Sequence, residues 1–241
     1  MDALAGRHAA VVVPAMVRNP SEALVFVTKA KAYAGSVDVI EWRVDAAVAA
    51  AKLLGRDANL AGIAQTLSSA GLPILATVRT NREGGSYDAS NIIEYERLII
   101  SLADLGVAAV DVELWAVRGR LLHILRASGA KIVLSAHDWS GTPSRAALRE
   151  KFRRMYELGA DVAKIAVTPR LYADVKAIAG EVMRAAYELD IPVIGIPMGE
   201  TGRVVRLQPE AFDCAATFAV LTEASAPGQC SVAEIEYRRK L

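Results

Sequence analysis

Eight short apolar runs alternate along this chain with longer amphipathic ones. They cover residues 9–16, 37–41, 74–79, 108–113, 131–137, 161–167, 192–197 and 216–221. Each run is nearly continuous in its apolar character, as a strand is when a parallel sheet is covered on both faces. The stretches between them read as helices, for example residues 20–34, 90–105, 143–158 and 169–189. Pro169 suits a first-turn position in the last of these, and Pro192 follows its end. Eight strands with intervening helices predict an α/β fold, a (β/α)8 TIM barrel. A doubly wound sheet would more comfortably have about five to seven strands and a glycine-rich first turn. No G-x-G-x-x-G is present.

The 241 residues suit one barrel, so residues 1–241 are expected to form a single catalytic domain. The chain is 53% hydrophobic and 23% charged, enough apolar mass for a large core. Its net charge is +1, from 28 basic and 27 acidic residues, so a nucleic-acid partner is not implied. The two cysteines, Cys214 and Cys230, form no short-spaced metal or disulfide pattern, and a reducing compartment is expected. Residues 9–17 could pass for a short signal core, but Asp2 precedes them and Pro14 interrupts them. They read better as a first buried strand. No run approaches the ~18 apolar residues of a membrane helix, so no membrane partner is expected.

Several predicted strands end in polar groups two residues apart, and so on one face. These are Glu41 with Arg43, Thr77 with Arg79, Asp111 with Glu113, and Ser135 with His137. Lys164 sits inside the apolar run 161–167. Barrel active sites lie at the C-terminal strand ends, so these residues predict one converging polar pocket. A lysine in such a strand can be a nucleophile toward a carbonyl. It can equally reach solvent or pair with a carboxylate. His137 can be a general base or a structural histidine; its place on the strand before the lysine strand favours the former. His8 and His123 read as structural. Arg206 can clamp a carboxylate or lie on the surface. The segments 84–86 and 225–231 read as mobile loops.

Six motifs in order resemble one family. They are Glu41-Trp42-Arg43-Val44-Asp45, the stretch Arg79 to Gly85, Ser135-Ala136-His137-Asp138, and Ala163-Lys164-Ile165-Ala166. Met198 with Thr201-Gly202 and Arg206-Leu207 follows, and then Ser225-Ala226-Pro227-Gly228-Gln229. From about residue 10 to residue 232 the chain resembles the type I 3-dehydroquinate dehydratases of the shikimate route, which serve aromatic amino-acid biosynthesis. The resemblance implies that 3-dehydroquinate loses water to give 3-dehydroshikimate through a Schiff base on Lys164. By the same resemblance His137 is the general acid/base and Glu83 orients it. Arg206 binds the substrate carboxylate, while Glu41, Arg43 and Arg79 meet the ring hydroxyls. Met198 packs near the imine, and Ser225 and Gln229 close over the substrate.

The resemblance implies no metal and no cofactor, a cytoplasmic location and a homodimer. There are two departures from the family pattern. Pro14 stands where serine is frequent, a change expected to alter a hydroxyl contact. Asp213-Cys214 stands where Gly-Ser is common, a change expected at a helix entry near the site. A class I aldolase would share Lys164 but need neither Glu83 nor the 225–229 loop. A non-catalytic barrel that senses a related acid would be expected to lack the lysine or the histidine.

Overall fold

The computed structural model describes residues 8–222 and 226–240. In chain order the elements are β1 (Ala10–Ala15), α1 (Pro20–Lys31), β2 (Val39–Arg43), α2 (Val44–Leu53), α3 (Leu60–Ser68) and β3 (Ile74–Thr77). Then come α4 (Ile92–Asp104), β4 (Ala109–Glu113), α5 (Leu121–Ala127), β5 (Lys131–Asp138), α6 (Arg145–Glu157) and β6 (Val162–Val167). The last are α7 (Tyr172–Glu188), β7 (Val193–Pro197), α8 (Arg203–Leu207), β8 (Ala216–Val220), β9 (Cys230–Ser231) and α9 (Val232–Arg239). The strands run parallel in the order β7-β6-β5-β4-β3-β2-β1-β8-β9. This is the (β/α)8 barrel architecture, with β9 as a two-residue addition beside β8 that the sequence pattern did not indicate.

The barrel closes between β7 and β8 through a few bonds rather than a ladder. Ala215 N–H donates to the Val193 carbonyl at 2.8 Å. Gly195 N–H donates to Cys214 Sγ at 3.4 Å, and the thiol reaches the Ala216 carbonyl at 3.2 Å. Asp213, just before, is the one non-glycine residue with positive φ (50°) among the described residues. That conformation is easiest for glycine. The Asp213-Cys214 departure therefore falls on the β7–β8 seam, at the start of β8, and not on a helix entry near the site.

Pro14 lies in β1, where a missing N–H should break a ladder. Backbone groups alternate sides along a parallel strand. Ala10 N–H points to β8, to the Ala215 carbonyl, and the Val11 carbonyl points to β2, to Asp38 N–H. Pro14 therefore faces β8, but that pairing ends at Val12 opposite Phe218. The ring costs no hydrogen bond there.

Two boundaries differ from the sequence reading. β3 stops at Thr77, so Arg79 lies beyond the strand. α7 begins at Tyr172 and not at Pro169, because the Asp174 carboxylate accepts from the N–H groups of Arg170 (2.8 Å) and Leu171 (3.0 Å) and starts the helix there. Among the described residues no helix is long and apolar enough to cross a membrane.

Candidate active site

Alternation along β2 puts Trp42 behind the wall, fully buried, and turns Glu41 and Arg43 inward. Ser135 of β5 lies opposite Lys164 of β6 and opposite Glu113 of β4. A cavity opens at this end of the barrel. It is lined by Glu41, Arg43, Arg79, Glu83, His137, Lys164, Met198, Arg206 and Gln229. These are nine of the ten residues to which the resemblance gives a role; the tenth, Ser225, lies outside the described residues, and Thr77, Asp111, Glu113 and Ser135, also expected in the pocket, are buried beside it without lining it. His8 and His123 are exposed and outside the cavity lining.

Lys164 is only 3% exposed. Its Nζ lies 3.6 Å from Glu41 Oε1 and 3.5 Å from Asp111 Oδ2, and sits over the Phe218 ring at 4.4 Å. The lysine is thus both paired and directed into the cavity. Against the cost of burial, Arg79 and Lys164 hold the Asp111 carboxyl below its ordinary value, and Ser135 Oγ donates to it at 2.6 Å.

Arg79 joins three strands. Its Nη2 donates to Asp111 at 2.8 Å; its Nη1 donates to Glu113 at 3.0 Å and to Ser135 Oγ at 3.0 Å, and lies 3.5 Å from Glu83. Surrounding carboxylates outweigh burial and raise its pKa. Most of its donors are committed to the protein. Glu113, fully buried, also accepts from Thr80 N–H (2.9 Å), Thr80 Oγ1 (2.7 Å) and Trp115 Nε1 (2.6 Å). Asp45 accepts from Arg43 Nε and Nη2, both at 2.9 Å, and from Ser86 N–H and Oγ at 3.1 and 3.0 Å. Asp111, Glu113 and Asp45 were visible as polar residues in the sequence, but nothing there gave them a task. Phe218 and Trp139 also line the cavity, and no polar pattern marks them.

The segment 84–86 is not a free loop. Gly85 N–H donates to the Thr80 carbonyl at 2.7 Å, and a Cβ on Gly85 would lie 2.1 Å from the Arg79 carbonyl oxygen. With Ser86 held by Asp45, the glycines serve close packing rather than motion.

His137 Nδ1 lies 2.8 Å from Glu83 Oε2, and its backbone N–H donates to the same oxygen at 3.0 Å. Burial, then Arg79, Lys164 and Arg43, hold its pKa well below the ordinary histidine value. The ring is therefore neutral at pH 7. Burial and the neighbouring Glu113 push the Glu83 carboxyl up to about 8.

Arg206 is buried in the opposite wall. Nη1 donates to the Pro227 carbonyl at 2.7 Å and Nη2 lies 3.5 Å from that of Phe218. Its Nε has no hydrogen-bond partner, and no carboxylate pairs with it among the described residues. Burial lowers its pKa to about 10, so the cation persists at neutral pH. A buried cation without a counterion is poised for an anionic ligand.

The family model for type I 3-dehydroquinase matches residues 11–238. The chain belongs to the type I 3-dehydroquinase family. It is 38% identical over 204 residues to a 3-dehydroquinate dehydratase of Shouchella clausii, covering 82% of this chain and 78% of that protein. Its fold matches the crystal structure of the 3-dehydroquinate dehydratase of Geobacillus kaustophilus with a TM-score of 0.89 and 30% identity, over 98% of this chain and 91% of that one. It also matches the type I enzyme of Clostridium difficile, solved with covalently modified comenic acid, with a TM-score of 0.83 and 28% identity, over 96% and 91% of the two chains. Family members are hydro-lyases, and 3-dehydroquinate dehydratase is this chain's activity.

Proposed function

We propose that the dehydration runs through a Schiff base on Lys164, with His137 as the proton carrier. The observation that carries the reading is one cavity shared by the buried Lys164 amine, the neutral His137 ring and the unpaired Arg206 cation. The Lys164 ammonium passes one proton to His137, the free amine adds to the C3 ketone of 3-dehydroquinate, and that proton returns to the carbinolamine hydroxyl, which leaves as water and leaves a protonated imine. That iminium has the same charge as the ammonium, so Glu41 and Asp111 serve as counterions without rearranging. It draws electrons from C2, and His137 removes the C2 proton. The resulting enamine expels the C1 hydroxyl, which leaves as water with that proton. A second water hydrolyses the imine and frees 3-dehydroshikimate. The covalent ligand in the Clostridium difficile relative fits a site that bonds its ligands.

Glu83 sets which nitrogen of His137 is free. As a carboxylate it accepts the Nδ1 proton and leaves Nε2 bare toward the cavity. Arg206 takes the substrate carboxylate. Glu41 and Arg43 meet the hydroxyls, Gln229 closes over the substrate as the family resemblance also implies for Ser225, and Met198 packs by the imine. Arg79, with most donors engaged, mainly holds the carboxylates in place. Family resemblance supports a single catalytic domain over residues 1–241, cytoplasmic and homodimeric; sedimentation velocity would check the dimer. The product conjugates a new C=C with the ketone and carboxylate. The direct test is therefore an ultraviolet progress curve on 3-dehydroquinate, and no rise in absorbance would contradict the reading.

Replacing Arg206 by Ala should act on binding. Loss of one charge-assisted hydrogen bond, at about 1.5–3 kcal/mol, should raise KM roughly 10- to 150-fold. kcat should fall far less. Steady-state kinetics check this, and an unchanged KM removes Arg206 from the carboxylate role.

The pH profile tests Glu83. Between 4.5 and about 8 the folded carboxyl keeps a proton that an exposed one has lost. Stability from this group is full below 4.5 and is lost as pH rises through 8. The base-competent form, with Glu83 ionised, grows in the same direction. kcat/KM should thus climb with pH along a limb centred near 8 and then level. Glu83→Gln should remove the limb, and a limb that persists there belongs to another group.

A further inference from the structure

Trp139 follows the end of β5 by one residue and His137 by two. Its indole Nε1–H donates to the Glu83 main-chain carbonyl at 2.8 Å. Its ring packs on Gly84, where φ is +85° and a Cβ would lie 2.3 Å from indole atoms. The end of β5 therefore holds the Glu83 turn at three points. Two are the backbone N–H and Nδ1 of His137, both on Glu83 Oε2; the third is the indole, on the backbone of Glu83. Apart from these, Glu83 is held by its N–H on the Thr80 carbonyl at 3.0 Å and by Arg79 at 3.5 Å. Trp139 is 40% exposed and lines the cavity, so core burial alone does not account for its place.

We propose that Trp139 is a positioning residue for the dehydration: its indole N–H fixes the Glu83 turn, and through it the orientation and tautomer of His137. This rests on the Lys164–His137 reading above. Two features make the turn sensitive to its anchor. Its Glu83 is buried while the residues on either side are exposed, and the turn holds that carboxylate among Asp111 and Glu113 of β4, Arg79 from the β3 end and His137 of β5. His137 in turn faces Lys164 of β6 and Arg43 of β2. If the carbonyl of Glu83 loses its donor, it turns toward water and takes the carboxylate with it. The ring of His137 then loses its fixed partner.

The test is Trp139→Phe, which keeps an aromatic side chain beside Gly84 and removes the donor together with the second ring of the indole. The parent is measured first, for turnover of 3-dehydroquinate and for borohydride-trapped imine. In the variant kcat should fall about tenfold, the value of one net hydrogen bond. KM should stay within about twofold, and imine trapping should match the parent, because no group touching the substrate carboxylate or the imine has changed. The acid limb of kcat/KM should move down by about one pH unit, since a looser, wetter turn ionises more easily. A parent without turnover sinks the Lys164–His137 reading and this proposal with it. An active parent with unchanged kcat and limb in the variant sinks this proposal alone. So does a variant with lower kcat and melting temperature but an unmoved limb, which would mark a merely structural tryptophan.

Discussion

Lys164→Ala should lose turnover by about 10,000-fold or more while the barrel still folds. Among the described residues no other residue lining the cavity is a primary amine, so no described side chain there can form the imine in its place. Without the iminium nothing acidifies the C2 proton, and loss of a covalent nucleophile removes the whole route rather than one interaction. The substitution also removes a cation from beside Glu41 and Asp111. Asp111 keeps Arg79 and Ser135 as partners, so the site is not left with an unpaired carboxylate there. Circular dichroism should therefore match the parent, and binding of 3-dehydroquinate should survive through Arg206. Turnover within tenfold of the parent would contradict the role given to Lys164.

His137→Ala should lower kcat by about 100- to 10,000-fold, the usual range for one general acid/base. Its signature differs from that of the lysine variant. The amine, its counterions and the carboxylate clamp all remain, so imine still forms and accumulates ahead of the blocked proton transfer. Mass spectrometry after borohydride should show the adduct in this variant and not in Lys164→Ala. Glu83 should lose its pH signature as well, because its carboxylate then has no ring to orient. If His137→Ala kept parental kcat, a different base would have to serve the C2 proton.

Much of the fold was legible because parallel strands buried on both faces leave long apolar runs. The site was legible for the opposite reason: lysine, glutamate and arginine inside such runs are costly unless partnered. Glu41, Arg43, His137 and Lys164 stand out this way. The connections among them did not. Arg79 reads as one more polar strand end, yet it lies beyond β3 and reaches carboxylates on β4 and in the following turn, contacts set by strand spacing and register. The glycines at 84 and 85 carry the composition of a flexible loop. Only their neighbours, Trp139 and the Arg79 carbonyl, show that they are there to let groups approach. Phe218 sits under the Lys164 amine but is one apolar residue in an apolar strand. Pro169 looked like a helix start because a first-turn proline is common. The Asp174 carboxylate decided the boundary three residues later by satisfying two free N–H groups.

The Schiff base itself is tested most directly by incubating the protein with 3-dehydroquinate and sodium borohydride, then mapping the adduct by peptide mass. Borohydride reduces an imine to a stable secondary amine. The expected result is one substrate-derived adduct on the peptide carrying Lys164, with turnover lost in step with its formation. Formation of 3-dehydroshikimate with no adduct, or with an adduct on another lysine, would contradict it.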